Sequence, residues 1–251
     1  ILNKVNDALS KVSPADNNQP GFVKQSFTFQ GKKSEKIAEK IISNCFQPGA
    51  KAFDPFFGSG SFLMAAAKSG LSVTGTELDN YTFSFVRTIL QKVDLDKTKE
   101  LFAQVSSFVK EKVMFLYETE CCGEKNYILR LYFDPETREY YHPKKQRDIL
   151  NGKNIKLVNK CPLCGSNDKF FEKVDEDKIS YCDSLDTSRF PSHSFIENSR
   201  INITVKTGAD KYDRNFTNRA KSSLLFIQDA INSLPSSNER DVLEQALVSS
   251  L

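Results

Sequence analysis

Apolar residues along the first hundred positions recur in stripes separated by short continuous runs. After Ser34, which can cap a helix, Ile37, Ile41 and Ile42 form one stripe that ends near Pro48-Gly49. The run Ala50–Phe53 predicts a strand directly behind that helix, and residues 61–69 predict a second helix built around Phe62, Leu63 and Ala66 and stopped by Gly70. A strand over Leu71–Leu78 and a helix with Phe85, Ile89 and Val93 on one side come next. A longer helical pattern from Lys97 to Tyr117 uses Leu101, Val105, Phe108 and Val109. Upstream, SPADNNQPG is a loop and Phe22–Phe29 predicts a strand. Helix and strand alternating at this spacing are the unit of an open, mostly parallel α/β sheet.

The pattern breaks at Glu118. From there to Asp183 the chain scatters Tyr, Phe, Lys and Asp between turn signals such as DPET and NGKN, and it holds five of the six cysteines. This predicts a small, strand-rich inserted module. Residues 184–215 show no period and are expected to be loop or short strands. Thr217 then caps a helix with Leu224, Ile227, Ile231 and Leu234, and Ser236 with Glu239 forms a capping box before Val242, Leu243, Ala246 and Leu247. The expected partition is 22–117, 118–183 and 184–251. Two clear parallel strands leave a sheet incomplete. The expectation is therefore a fragment, or a missing half supplied by a partner chain, and the start at Ile1 rather than Met points to an absent N-terminal piece.

The 251 residues, 39% hydrophobic with 20 Phe, suffice for one substantial domain carrying a smaller module. No run reaches the roughly 18 apolar residues of a membrane span, and the start ILNKVNDALSKV has no apolar core of a secretory signal. The expectation is a cytoplasmic protein with no membrane partner. A net charge of +3 says little about nucleic acid by itself. Six cysteines that include a C-x-x-C pair fit a reducing compartment and a bound metal better than a disulfide scaffold.

FDPFFGSGSF, from Phe53 to Phe62, carries the chemistry. An apolar run enters an acid, a proline and two closely spaced glycines, and an apolar helix follows. Gly58 and Gly60 let backbone approach a ligand, Asp54 at the strand end can accept from an amine, and Glu77 at the end of the next strand can accept two ribose hydroxyls. The segment lacks the order of a P-loop, and the residue three past Gly60 is Leu63, so G-x-G-x-x-G fails too. Cys161-Pro162-Leu163-Cys164-Gly165 has the form of a zinc knuckle, with Cys121 and Cys122 as the second pair of a structural zinc site. Adjacent cysteines are awkward ligands, so His142 or Cys182 is an alternative to one of them. Lys144, Lys145 and Arg147, with Lys153 and Lys156 and with Tyr140 and Tyr141 nearby, form a basic cluster suited to DNA phosphates or simply to solvent.

FDPFFGSGSFLMAAAKSGLSVTGTELD resembles the cofactor motif and acidic strand end of the amino-group DNA methyltransferases, which methylate adenine N6 or cytosine N4. DRNFTNRAKSSLLFIQDAI, from Asp213 to Ile231, is similar to an F-T-x-R helix of large bacterial DNA methylases with a cysteine-containing insertion. The resemblance implies a partial Rossmann-like, S-adenosylmethionine-dependent methyltransferase fold with the inserted module. It implies that Asp54, Pro55, Phe56, Gly58, Ser59 and Gly60 hold the methionine end of S-adenosylmethionine. Glu77 would take the ribose, Leu78 would lie near the adenine, Asp79 would share or supplant the role of Glu77, and Phe29 and Lys33 would sit near the methionine moiety. Double-stranded DNA and other restriction or defence subunits are the implied partners.

The family performs its chemistry with [D/N/S]-P-P-[Y/F/W], and no such run exists in this sequence. DPFF at Asp54 belongs to the cofactor loop, and FDPE around Asp134 is a turn. The expectation is an enzyme whose catalytic motif lies outside this chain; the alternative is a non-catalytic nucleic-acid-binding or scaffold subunit that kept the fold.

Overall fold

The computed structural model describes residues 2–17, 33–131, 155–170, 172–195 and 211–250. They form two compact units, Ile1–Leu101 with Pro235–Leu251, and Phe102–Leu234. The strand expected at Phe22–Phe29 lies outside the described residues.

In the first unit, α1 (Leu2–Ser10) and a 3-10 turn (Pro14–Asn17) lead to α2 (Glu35–Cys45), β1 (Lys51–Asp54), α3 (Ser61–Lys68), β2 (Ser72–Gly75), α4 (Asn80–Leu90) and the start of α5 (Leu95–Tyr117); α8 (Asn238–Ser249) returns to it. Ser34 caps α2 as expected, its Oγ accepting from the Ile37 N–H. β1 and β2 pair in parallel from Lys51↔Ser72 to Asp54↔Gly75, with α3 as the crossover. Small residues make that helix a packing surface. Ala65 and Ala66 are fully buried and let Ile42 of α2 pack down with Leu71, while Leu63 joins Phe57, Phe85 and Val86 in a second cluster.

Three local expectations change. The strand over Leu71–Leu78 shortens to Ser72–Gly75, because the chain turns at Thr76 to close the site loop. On α4 the buried residues are Thr82, Phe85 and Val86; Ile89 is 46% exposed, and the helix ends before Val93. The last helix is capped by Ser237, which accepts from the Arg240 N–H, and not by Ser236. Glu239 forms no capping box there. Its carboxylate accepts from the Asp94 N–H at 3.0 Å and pairs with Lys97 at 3.3 Å, pinning the start of α5.

The second unit contains the rest of α5, then β3 (Glu118–Cys121), β4 (Glu124–Leu131), β5 (Ile155–Val158), β6 (Asp168–Phe170), α6 (Lys173–Ser184), a 3-10 turn (Tyr212–Asn215) and α7 (Asn218–Asn232). The four strands pair in chain order and all antiparallel. Val105, Val109 and Leu116 of α5 are buried, whereas Phe108 is 61% exposed and off the packed stripe. α6 is a helix within the stretch expected to be strand-rich. It begins with a capping box in which Glu172 and the fully buried Asp175 exchange side-chain and backbone hydrogen bonds. Thr217 caps α7, and its Oγ1 accepts from the Ala220 N–H at 3.2 Å.

Candidate functional site

The loop after β1 is held by its own polar groups. Asp54 Oδ1 accepts from the Phe56 N–H at 3.1 Å, an Asx turn that starts the loop. The Phe57 and Gly60 N–H groups bond to the Thr76 and Phe57 carbonyls, and Thr76 Oγ1 donates to the Pro55 carbonyl at 2.6 Å. Gly58 and Gly60 both adopt positive φ, 50° and 71°. Gly60 is the N-cap of α3 and has no side chain to accept from the first turn, so the positive end of that helix is uncapped by its own N-cap residue. Ser59 and Ser61 are buried and hydrogen-bonded to each other at 3.0 Å.

The reason for glycine at position 60 lies within the protein. A Cβ there would sit 2.7 Å from Val86 Cγ1, so the residue is demanded by α4 packing as well as by φ. Gly75, which sequence reasoning did not single out, plays the same part. Its Cβ would meet Leu63 and Phe57 at 2.7 Å. A glycine within a strand pattern is the signal that finds it.

Glu77 faces this loop. Its Oε2 accepts from the Gly58 N–H at 2.8 Å, and Oε1 accepts from Leu78 at 2.8 Å and Asp79 at 3.2 Å. These backbone donors, Asp79 first, hold its carboxyl below the usual range. Asp79 is occupied differently: its Oδ2 caps α4 by accepting from the Thr82 N–H at 2.8 Å and from the Thr82 hydroxyl. Phe56 and Leu78 project into solvent, 83% and 93% exposed. Pro55 and Lys33 are also exposed. Phe29, Lys144, Lys145, Arg147 and His142 lie outside the described residues.

In the second unit two hairpin tips meet. Cys121 and Cys122 sit at the β3–β4 turn, Cys161 and Cys164 in the β5–β6 connection, and pairing of β4 with β5 sets the hairpins side by side. The four Sγ atoms lie within 4.8 Å of one another, with Cys121 to Cys122 at 3.9 Å and Cys121 to Cys164 at 3.8 Å. Tetrahedral zinc with Zn–S near 2.3 Å requires S···S separations of about 3.8 Å, so this donor set fits a metal ion. Adjacent cysteines reach one centre because Cys122 and Gly123 have φ of 58° and 78°, the pattern of a type I′ turn. Among the described residues Cys122 is the only non-glycine with positive φ. Gly165, at φ 69°, closes the other knuckle by donating to the Cys161 carbonyl at 2.9 Å. Backbone N–H groups, that of Cys164 first, push the Cys161 thiol down toward thiolate, the form that binds metal. Cys182 is buried on α6 and is not part of the group, and Cys45 lies on α2.

Residues 4–87 match the DNA methylase family of N6 and N4 methyltransferases. That stretch runs from α1 through most of α4 and contains the whole glycine loop and Glu77. The chain is also similar to the Type II methyltransferase M.MjaII of Methanocaldococcus jannaschii, 25% identical over 104 residues, or 41% of this chain. The match spans 20% of that relative's length. No solved structure matches the chain. No helix among the described residues is long and apolar enough to cross a membrane.

Proposed function

We propose that this chain supplies the cofactor-binding part of an amino-group DNA methyltransferase, which moves the methyl of S-adenosylmethionine to adenine N6 or cytosine N4. The observation that carries this reading is the pairing of the uncapped α3 start and positive-φ glycines with Glu77 at the neighbouring strand end, inside the stretch that matches the DNA methylase family. The residues fit the cofactor. One oxygen of Asp54 is spent on the Phe56 N–H, leaving the other for the ligand's ammonium, and the α3 N-terminus suits its carboxylate. Glu77 would take ribose hydroxyls by releasing the Gly58 N–H, and Phe56 and Leu78 would cover the adenine. When bound, the cofactor supplies an electrophilic methyl. The chain orients it and excludes water from one face.

The [D/N/S]-P-P-[Y/F/W] run that would hold the target amine is absent from these 251 residues and is assigned to another segment or subunit. Double-stranded DNA, a restriction or defence assembly, and a cytoplasmic setting complete the reading. The four-cysteine group would hold a structural zinc that staples the inserted unit. The absence of that run also favours a second reading, a non-catalytic nucleic-acid-binding subunit.

Calorimetric titration with S-adenosylmethionine tests the proposal. One-site binding is expected, weakened roughly 10- to 100-fold by Asp54→Ala and by Glu77→Ala, each of which removes a charged hydrogen-bonding group. A folded wild-type protein that binds no cofactor would refute it. Labelled methyl appearing in DNA when the missing motif is supplied would exclude the second reading.

A further inference from the structure

A groove of about 880 Å³ lies wholly within the second unit, between α5, β3, β4, α6 and α7. Its exposed rings are Phe115 and Tyr181, 44% and 45% exposed and packed edge to face at 5.5 Å. Tyr127 and Phe226 add further aromatic lining. Cations accompany the rings. Lys178 of α6 stands 3.2 Å from the Phe115 ring centre, and Lys112 lies 4.6 Å from that of Phe108 and 5.9 Å from that of Phe226. Lys110 lines the same groove.

The charges do not cancel. Two acids line the groove, Glu111 and Glu118, and Glu118 is taken by an ion pair with Lys125. Lys110, Lys112 and Lys178 form no ion pair among the described residues. Arg219 of α7, outside the groove lining, is a further cation: it is 5% exposed, its guanidinium stands 5.5 Å from the Tyr117 ring, and none of its three side-chain nitrogens has a hydrogen-bond partner among the described residues. Burial pushes the Lys178 pKa down, against the attraction of Glu118 and Cys182, with smaller repulsions from Arg219 and Lys125.

An anion is therefore the missing component, and the rings decide which kind. Lysines alone would accept an acidic peptide, but exposed aromatic faces beside unpaired cations match phosphates joined to flat bases. A duplex hides its base faces by stacking, so only an unpaired strand offers both features. We propose that this groove binds a single strand of nucleic acid, with phosphates on Lys110, Lys112 and Lys178 and a base against the Phe115–Tyr181 pair. The site is separate from the glycine loop, and the proposal extends the DNA methyltransferase reading to a strand opened for base access.

The test is fluorescence anisotropy of the whole chain with a labelled single-stranded oligonucleotide, the same sequence as duplex, and polyglutamate as competitor, at several salt concentrations. Single-strand binding is expected to be tighter than duplex binding. Each of Lys112→Glu and Lys178→Ala should lower the slope of log affinity against log salt by about 0.7. Tyr181→Ala should weaken binding roughly 5- to 100-fold. Should that variant fail to fold, Lys110→Glu at the exposed rim carries the same expectation as the other lysines. No binding, equal binding of duplex, unchanged affinity in the variants, or displacement by polyglutamate as efficient as by unlabelled strand would each overturn the proposal. Strand binding without cofactor binding would refute the proposed function alone, and cofactor binding without strand binding would refute this inference alone.

Discussion

Replacing Cys122 by glycine should stabilise the protein without metal and destabilise it with metal. Cys122 holds φ of 58°, where a β-carbon costs about 1–2 kcal/mol, while glycine's added freedom in the unfolded chain takes back roughly 0.5–1 kcal/mol. The metal-free variant should therefore gain about 0.5–1 kcal/mol. With zinc present the balance reverses, because the fourth sulfur of the group is lost. If affinity falls a thousandfold under saturating zinc, about 4 kcal/mol of linked stability goes with it. Thermal unfolding by circular dichroism, with excess zinc and again with a strong chelator, reads both signs. Cys164→Ser serves as the control, since Cys164 is not among the positive-φ residues and the change should lower only the zinc-bound midpoint. A shift of the same sign for Cys122→Gly in both conditions would refute either the turn strain or the metal site.

Gly60→Ala should cost about 2–5 kcal/mol, combining positive-φ strain with overpacking against Val86, and a loss under 1 kcal/mol by urea unfolding would contradict the packing described. Asp175→Ala orphans the Thr119 hydroxyl, which donates to it at 2.5 Å, and the Glu172 N–H at 2.8 Å; a loss of about 2–4 kcal/mol is expected in the same assay, and a neutral change would remove Asp175 as the organiser of α6. Glu239 has its pKa lowered to about 2, chiefly by the Asp94 N–H, from an ordinary value of 4.5. Because the folded value lies below the unfolded one, its contribution is full above about pH 4.5 and is lost as pH falls toward 2. Acid titration of stability should accordingly be shallower in Glu239→Gln across that window, and identical slopes would refute the assignment.

The glycine loop is legible in sequence because its elements are local: strand, acid, proline, two glycines and an apolar helix within ten residues. The Cys161–Cys164 knuckle is visible for the same reason. Cys122 is different, since adjacent cysteines carry no signal that one adopts positive φ and brings its sulfur to the other three. α6 escaped notice because it buries only Asp175 and Cys182, leaving no apolar stripe to recognise. Between Ser236 and Ser237 local pattern favours the first, but the Glu239 carboxylate is committed to the Asp94 N–H and the second serine takes the cap. For the last two, partners far apart in sequence intervene: Thr119 for Asp175 and Asp94 for Glu239.

The first unit is built from chain on both sides of the second. Tyr81, Arg87 and Gln91, on or just after α4, find partners on α8, in Ser249 and Asp241. Those partners are translated only after all of Phe102–Leu234. At roughly 5–20 residues per second, the ribosome holds α4 without α8 for on the order of ten seconds. The inserted unit can finish folding before its host. During that interval the face of α4 awaiting α8 is open to chaperones and to neighbouring nascent chains, making the yield of folded protein sensitive to the speed of translation through the insertion.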